Sequence, residues 1–201
     1  MGMTSNPSIF NNAIGSSSDY DGKIRVLNEA GKTTFEIYDE LTIRDIQDAT
    51  DRFKGVYEKT AGLDGYVSLE IDPRIAHKTQ EQIQEGLRLF KKVDRPNLMI
   101  KAPSTKEGIP VIEELIASGV NVNATLIFSI EQYTQVAKAY HRGLTRRANE
   151  TSDLSNIRSV ASVFVSRVDT VVDKMINERS AKETDAVKKE QLQSFLWLIA
   201  H

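Results

Sequence analysis

The stretch NLMIKAPSTKEGIP, residues 97–110, runs an apolar segment into a lysine, Lys101, and then into a loop with helix-opening residues. An apolar run of strand length, followed at once by residues at helical spacing, is the signature of a βα unit. The run shows no polar alternation, which is the pattern of a parallel strand covered on both faces. A cation in such a strand needs a partner or a purpose, because removing a charge from water without compensation is costly.

The same rhythm repeats on both sides. GYVSLEI (65–71), NLMIKA (97–102), GVNVNATLIFS (119–129) and SVASVFVS (159–166) read as strands, and GMTSN at the start as a short fifth. Between them, Ile75, Thr79, Ile83, Leu87 and Phe90 recur at steps of three or four and predict a helix with one apolar stripe. Ser104 or Thr105 is placed to cap a helix carrying Ile109, Ile112, Leu115 and Ile116, with Gly119 ending it. Residues 130–148 repeat the helical pattern and leave through the polar loop NETSDLSN. Segment 11–62 predicts two or three helices, with a turn at GSSSDYDG and a break at NEAGKTT. No linker divides the chain, so the expectation is one α/β domain over residues 1–201.

Composition narrows the function classes. Apolar residues make up 40% and charged residues 27%, with a formal net charge of −2, so no basic field exists to hold nucleic acid or anionic lipid. The absence of cysteine removes disulfides and thiolate chemistry and suits a reducing cytoplasm. His77, His141 and His201 are far apart and form no metal-ligand spacing, so no metal site is expected. No apolar run approaches the ~20 residues of a membrane span, and the start lacks the basic and apolar regions of a signal peptide.

The polar residues that interrupt these strands cluster at or near their C-terminal ends: Glu70, Lys101, Asn123 with Thr125, and Ser162 with Arg167. That edge is where βα loops build sites in barrels and open α/β sheets. Taken singly, Glu70 and Lys101 also read as a structural ion pair, though less readily than as functional groups, Asn123 and Thr125 read more readily as turn-pinning residues, and Arg167 also reads as a surface arginine. Their coincidence at matching strand ends points to chemistry instead. An enclosed amine loses hydration of its charged form, and the neutral form attacks carbonyl carbon to give a Schiff base. Glu70, with Thr125 positioning water, suits the proton transfers of dehydration and hydrolysis. Asn123 suits a sugar carbonyl or hydroxyl, and Arg167 offers a planar fork to phosphate.

GMTSNPSIF, DGYVSLEIDPRI, NLMIKAPSTKEGI, NVNATLIFS and SVASVFVSRVD resemble, in the same order, the successive motifs of the transaldolase family. The resemblance implies a (β/α)8 TIM barrel that moves a dihydroxyacetone unit from a ketose phosphate to an aldose phosphate in the pentose phosphate pathway, without a cofactor. It implies that Lys101 is the Schiff-base lysine and that Glu70 and Thr125 handle the catalytic water. Asn6 and Asn123 would hold donor hydroxyls, Ser162 would line the donor pocket and Arg167 would bind phosphate. Another Schiff-base aldolase acting on phosphosugars would share the barrel and lysine, but not TSNPSIF and NATLIFS.

Matched to the family, the chain corresponds to strands two through six of eight, an incomplete barrel of about five parallel strands. The first strand, which carries an acid/base aspartate in the family, has no counterpart. The expectation is therefore weak or absent turnover, with a non-catalytic sugar-phosphate-binding or assembly protein as the alternative. Two open sheet edges and the apolar FLWLIA near the C-terminus predict a homo-oligomer or domain-swapped assembly, or else an open sheet covered by repacked helices.

Overall fold

A computed structural model describes residues 2–196; His201 and residues 197–200 of the terminal apolar run lie outside them. Five strands form one parallel sheet in sequence order: β1 (Met3–Thr4), β2 (Val67–Glu70), β3 (Leu98–Pro103), β4 (Val122–Ile127) and β5 (Ser159–Val163). Strictly sequential order with right-handed crossovers puts the connecting helices on a single side, as in one sector of a barrel wall. The expected five-stranded incomplete barrel is what the chain forms.

After β1, α1 (Pro7–Ser16) begins where Asn6 accepts a hydrogen bond from the Ile9 amide, with Pro7 at the first helical position. Helix α2 (Asp21–Glu29) ends within the predicted NEAGKTT break, residues 28–34. The long α3 (Thr34–Lys59) opens on a capping box in which Thr33 and Glu36 satisfy each other's amides. Helices α4 (Thr79–Val93), α5 (Gly108–Ala117) and α6 (Ile130–Ala148) follow β2, β3 and β4, and α7 (Val165–Lys182) and α8 (Ala186–Gln193) follow β5.

Strand alternation divides the side chains between two faces. Val67 and Leu69, Leu98, Ile100 and Ala102, and Val122 and Ala124 enter the core beneath the helices, together with Ile46, Leu89, Ile112, Leu115 and Ile116. Ser68, Glu70, Met99, Lys101, Asn123 and Thr125 occupy the opposite register positions and form the inner face. The helix layer is tied by ions as well as packing. Arg88 of α4 donates twice to Asp39 of α3, at 2.9 and 2.6 Å, and Lys92 donates to the same carboxylate at 2.7 Å. Burial alone would raise the Asp39 pKa, but these hydrogen bonds outweigh it and hold the carboxyl below its ordinary value.

Two predicted details differ. Ile83 and Phe90 of the predicted stripe pack against the core, but Leu87 is exposed, and the buried residues of α4 are Gln82, Gly86, Leu89 and Val93. The phase is set by Gly86, where an added Cβ would lie 2.9 Å from Leu115 of α5, so this face is the one that can approach its neighbour. The β5 strand also stops at Val163, and Val165 already begins α7.

Candidate active site

Lys101 lies on the inner face of β3, 7% exposed. Its Nζ stands 3.2 Å from Glu70 Oε2 on β2 and donates at 3.1 Å to the Ser5 carbonyl at the end of β1. The Glu70 contact follows from register, since the two residues are direct partners in the β2–β3 ladder. The Ser5 contact skips a strand. Next-but-one strands of a flat sheet are separated by ~9.6 Å, twice the ordinary spacing, so side chains meeting across that gap report inward curling.

A second contact also skips a strand. Asn123 Nδ2 on β4 donates at 3.1 Å to Ser68 Oγ on β2. On its other side the Ser162 hydroxyl of β5 donates to Asn123 Oδ1 at 2.7 Å. Serine and asparagine are too short to bridge that distance on a flat sheet. The barrel geometry brings them level, because inward side chains from alternate strands share a layer. Asn123 is the ladder partner of Lys101, so the two side chains leave neighbouring strands at the same level, and the Asn123 amide is clamped at both ends.

Thr125 is 2% exposed and lies opposite Pro103 in the β3–β4 ladder. Immediately after it, Leu126 takes a φ of +63°, and the β4–β5 pairing shifts register between Ala124 and Ile127. A leucine in the left-handed region is strained, and such irregularities collect next to functional sites because they re-aim side chains. Thr105 accepts from the Gly108 amide at 3.0 Å and so caps the turn into α5. Ser104, the other predicted cap, has a buried hydroxyl without a hydrogen-bond partner.

The remaining predicted residues sit differently. Asn6 is partly buried, and its side-chain oxygen is engaged in capping α1. Arg167 falls in the first turn of α7, not on the strand, and is exposed. Its guanidinium packs 4.4 Å above the Phe164 ring, which itself stacks on Phe128 with centroids 5.5 Å apart. Hydrogen bonds and the ion pair therefore join Lys101, Glu70, Asn123 and Ser162 to the inner face, whereas Asn6 and Arg167 are engaged by the helices they begin. Beside Glu70, a cleft of about 560 Å³ opens between α1, α3 and the β2–α4 loop. Its walls include Phe35, Tyr38, Leu69, Asp72 and Arg74. Burial, and then the charges of Asp72 and Glu70, push the Tyr38 hydroxyl pKa upward. Among the described residues, no group of three or more histidines and carboxylates could hold a metal, and no helix is long and apolar enough to cross a membrane.

A sequence model of the transaldolase/fructose-6-phosphate aldolase family matches residues 1–193. This chain belongs to that family. A transaldolase of Trichodesmium erythraeum is 46% identical over 193 residues, covering 96% of this chain and 51% of the relative. A transaldolase of Saccharopolyspora erythraea is 51% identical over 176 residues, covering 88% and 48%. A protein named transaldolase 2 from a Nostoc species is 45% identical over 189 residues, covering 94% and 50%. The chain thus spans about half the length of the curated relatives it matches.

Two members of the inner face escape a reading of charged and polar outliers. Ser5 contributes its carbonyl to Lys101, which side-chain identity cannot signal. Ser68 was legible by parity, since it stands two residues before Glu70 and shares its face.

Proposed function

We propose that this chain carries out transaldolase chemistry, moving a dihydroxyacetone unit between ketose and aldose phosphates through a Schiff base on Lys101. The observation that carries the reading is the buried Lys101–Glu70 pair at 3.2 Å, at the C-terminal ends of adjacent parallel strands, in a chain of this family. Glu70 is near enough to take a proton from the ammonium, and the freed amine adds to the ketose carbonyl. Loss of water gives the iminium. Cleavage of the carbon–carbon bond one position further on, as the hydroxyl beyond it passes its proton to bound water, sends its electron pair into the iminium and releases the aldose phosphate. The resulting enamine adds to the acceptor aldehyde, and hydrolysis restores the lysine.

In this reading Glu70 and Thr125 manage the water, Asn6 and Asn123 hold donor hydroxyls, Ser162 lines the donor pocket and Arg167 binds phosphate. Residues 1–201 act as one domain, in the pentose phosphate pathway of the cytoplasm. The chain works as a homo-oligomer. That part is supported by β5, which has only β4 beside it among the described residues and exposes Val160 and Val163.

A second reading, a non-catalytic sugar-phosphate-binding or assembly protein, draws on the half-length match to the relatives. One experiment separates the two. The protein is incubated with fructose 6-phosphate, reduced with borohydride and weighed. A sugar-derived adduct that Lys101→Ala lacks supports the first reading, and absence of any adduct supports the second.

A further inference from the structure

We infer that Ser68 is a positioning residue, which acts through Asn123 to set how the site receives the hydroxyl next to a ketone carbonyl. This rests on the proposed role of Lys101 as the Schiff-base lysine. The position calls for an apolar side chain on general grounds, since a strand covered on both sides loses stability for each buried hydroxyl it must satisfy. Ser68 is nevertheless 5% exposed and faces inward one layer below Glu70. Its hydroxyl accepts from the Asn123 amide at 3.1 Å, across the strand that bears Lys101. Its backbone carbonyl accepts the Ser5 hydroxyl at 2.7 Å, and the carbonyl of Ser5 in turn accepts from Lys101 Nζ. Ser68 thereby joins both the residue that holds the amine and the amide of the ladder partner of Lys101.

The geometry bears on selectivity. The Asn123 amide has two N–H groups and an oxygen with two acceptor sites. Ser68 occupies one N–H, and Ser162 occupies one acceptor site at 2.7 Å. One donor and one acceptor remain on an amide whose plane is held at both ends, next to the ladder position of Lys101. A hydroxyl group, which both donates and accepts, matches that pair; a methyl group does not. Without Ser68 the amide swings about a single anchor, and the match to a hydroxyl weakens while the amine is untouched.

The test uses two small ketones, dihydroxyacetone and acetone, trapped on the protein with borohydride and counted by mass. Ser68→Ala is expected to lower trapping of dihydroxyacetone roughly tenfold, the scale of one lost hydrogen bond in a buried network, and to leave acetone within about twofold. Added to Asn123→Ala, it should cause no further loss, because both changes remove one interaction. An equal fall for both ketones, or full additivity with Asn123→Ala, would overturn the inference in favour of a general structural role. Should Ser68→Ala fail to fold, Ser68→Cys keeps the volume with a much weaker hydrogen-bonding group and takes its place. If wild type traps neither ketone, the Lys101 reading fails on its own, and the Asn123 side-chain amide decides the Ser68 claim by nuclear magnetic resonance. Slow hydrogen exchange there that is lost in the Ser68 variant supports positioning, and unchanged exchange refutes it.

Discussion

Glu70 and Lys101 are ladder partners across β2 and β3, with Oε2 and Nζ 3.2 Å apart, on a face where both side chains are largely enclosed. Glu70→Gln keeps the shape and an acceptor oxygen but removes the charge, so the ammonium is left with neutral oxygens, the new amide and the Ser5 carbonyl, in place of the Glu70 carboxylate. A loss of about 1–3 kcal/mol is expected, because an enclosed cation loses its counter-charge. Urea unfolding measures it. Schiff-base trapping with fructose 6-phosphate should fall as well, and unchanged trapping would remove Glu70 from the proton transfers.

Asp39 links α3 to α4 through Arg88 and Lys92. Its folded-state pKa lies below the ordinary value, so its contribution is fully present above the unfolded pKa of about 4 and is lost as pH falls through the lowered folded value. Wild type should therefore exceed Asp39→Asn in urea midpoint at pH 7, and the two should converge toward pH 2. A gap that persists at pH 2 would assign the stability to something other than this carboxylate's charge.

Gly108 opens α5 where an added Cβ would lie 1.8 Å from the Pro103 carbonyl, at the end of the strand bearing Lys101. Backbone must move to accept Gly108→Ala. The expected cost is ~3 kcal/mol, at the upper end for overpacking, seen as a lower thermal midpoint. Gly22→Ala, where nothing lies within 4 Å of the new Cβ in α2, serves as the control and should cost nothing, or stabilise by up to ~1 kcal/mol.

The β5 edge exposes Val160 and Val163. Val163→Lys should dissociate the proposed homo-oligomer in sedimentation, because charge on an edge strand blocks further pairing. A wild type that sediments as a monomer at every concentration would rule the assembly out.

Much of the architecture was legible because it depends on local periodicity. The βα rhythm, the break before α3 and the Gly119 stop all follow from neighbouring residues. Gly119 takes a φ of +84°, which an L-residue resists. The strand-to-helix switch after Val163 was not legible, since the β-branched and aromatic run SVASVFV continues through it and favours strand on its own. The apolar stripe predicted for α4 holds at Ile83 and Phe90, which pack against the core, and fails at Leu87. Leu87 fits a helical stripe in sequence, but Gly86 lets α5 approach on the neighbouring face.

By itself, the sequence determined that polar groups would stand at the ends of successive parallel strands, and which groups those are. Period-two alternation puts Ser68 with Glu70, and Asn123 with Thr125, on one face of their own strands; that these faces coincide with those of Lys101 and Ser162 is set by the pairing register. Which of them touch was decided only by tertiary structure. Lys101 meets Ser5, and Asn123 meets Ser68, across an intervening strand. Such contacts arise from curling of the whole sheet, a collective property of all five strands that no single segment encodes.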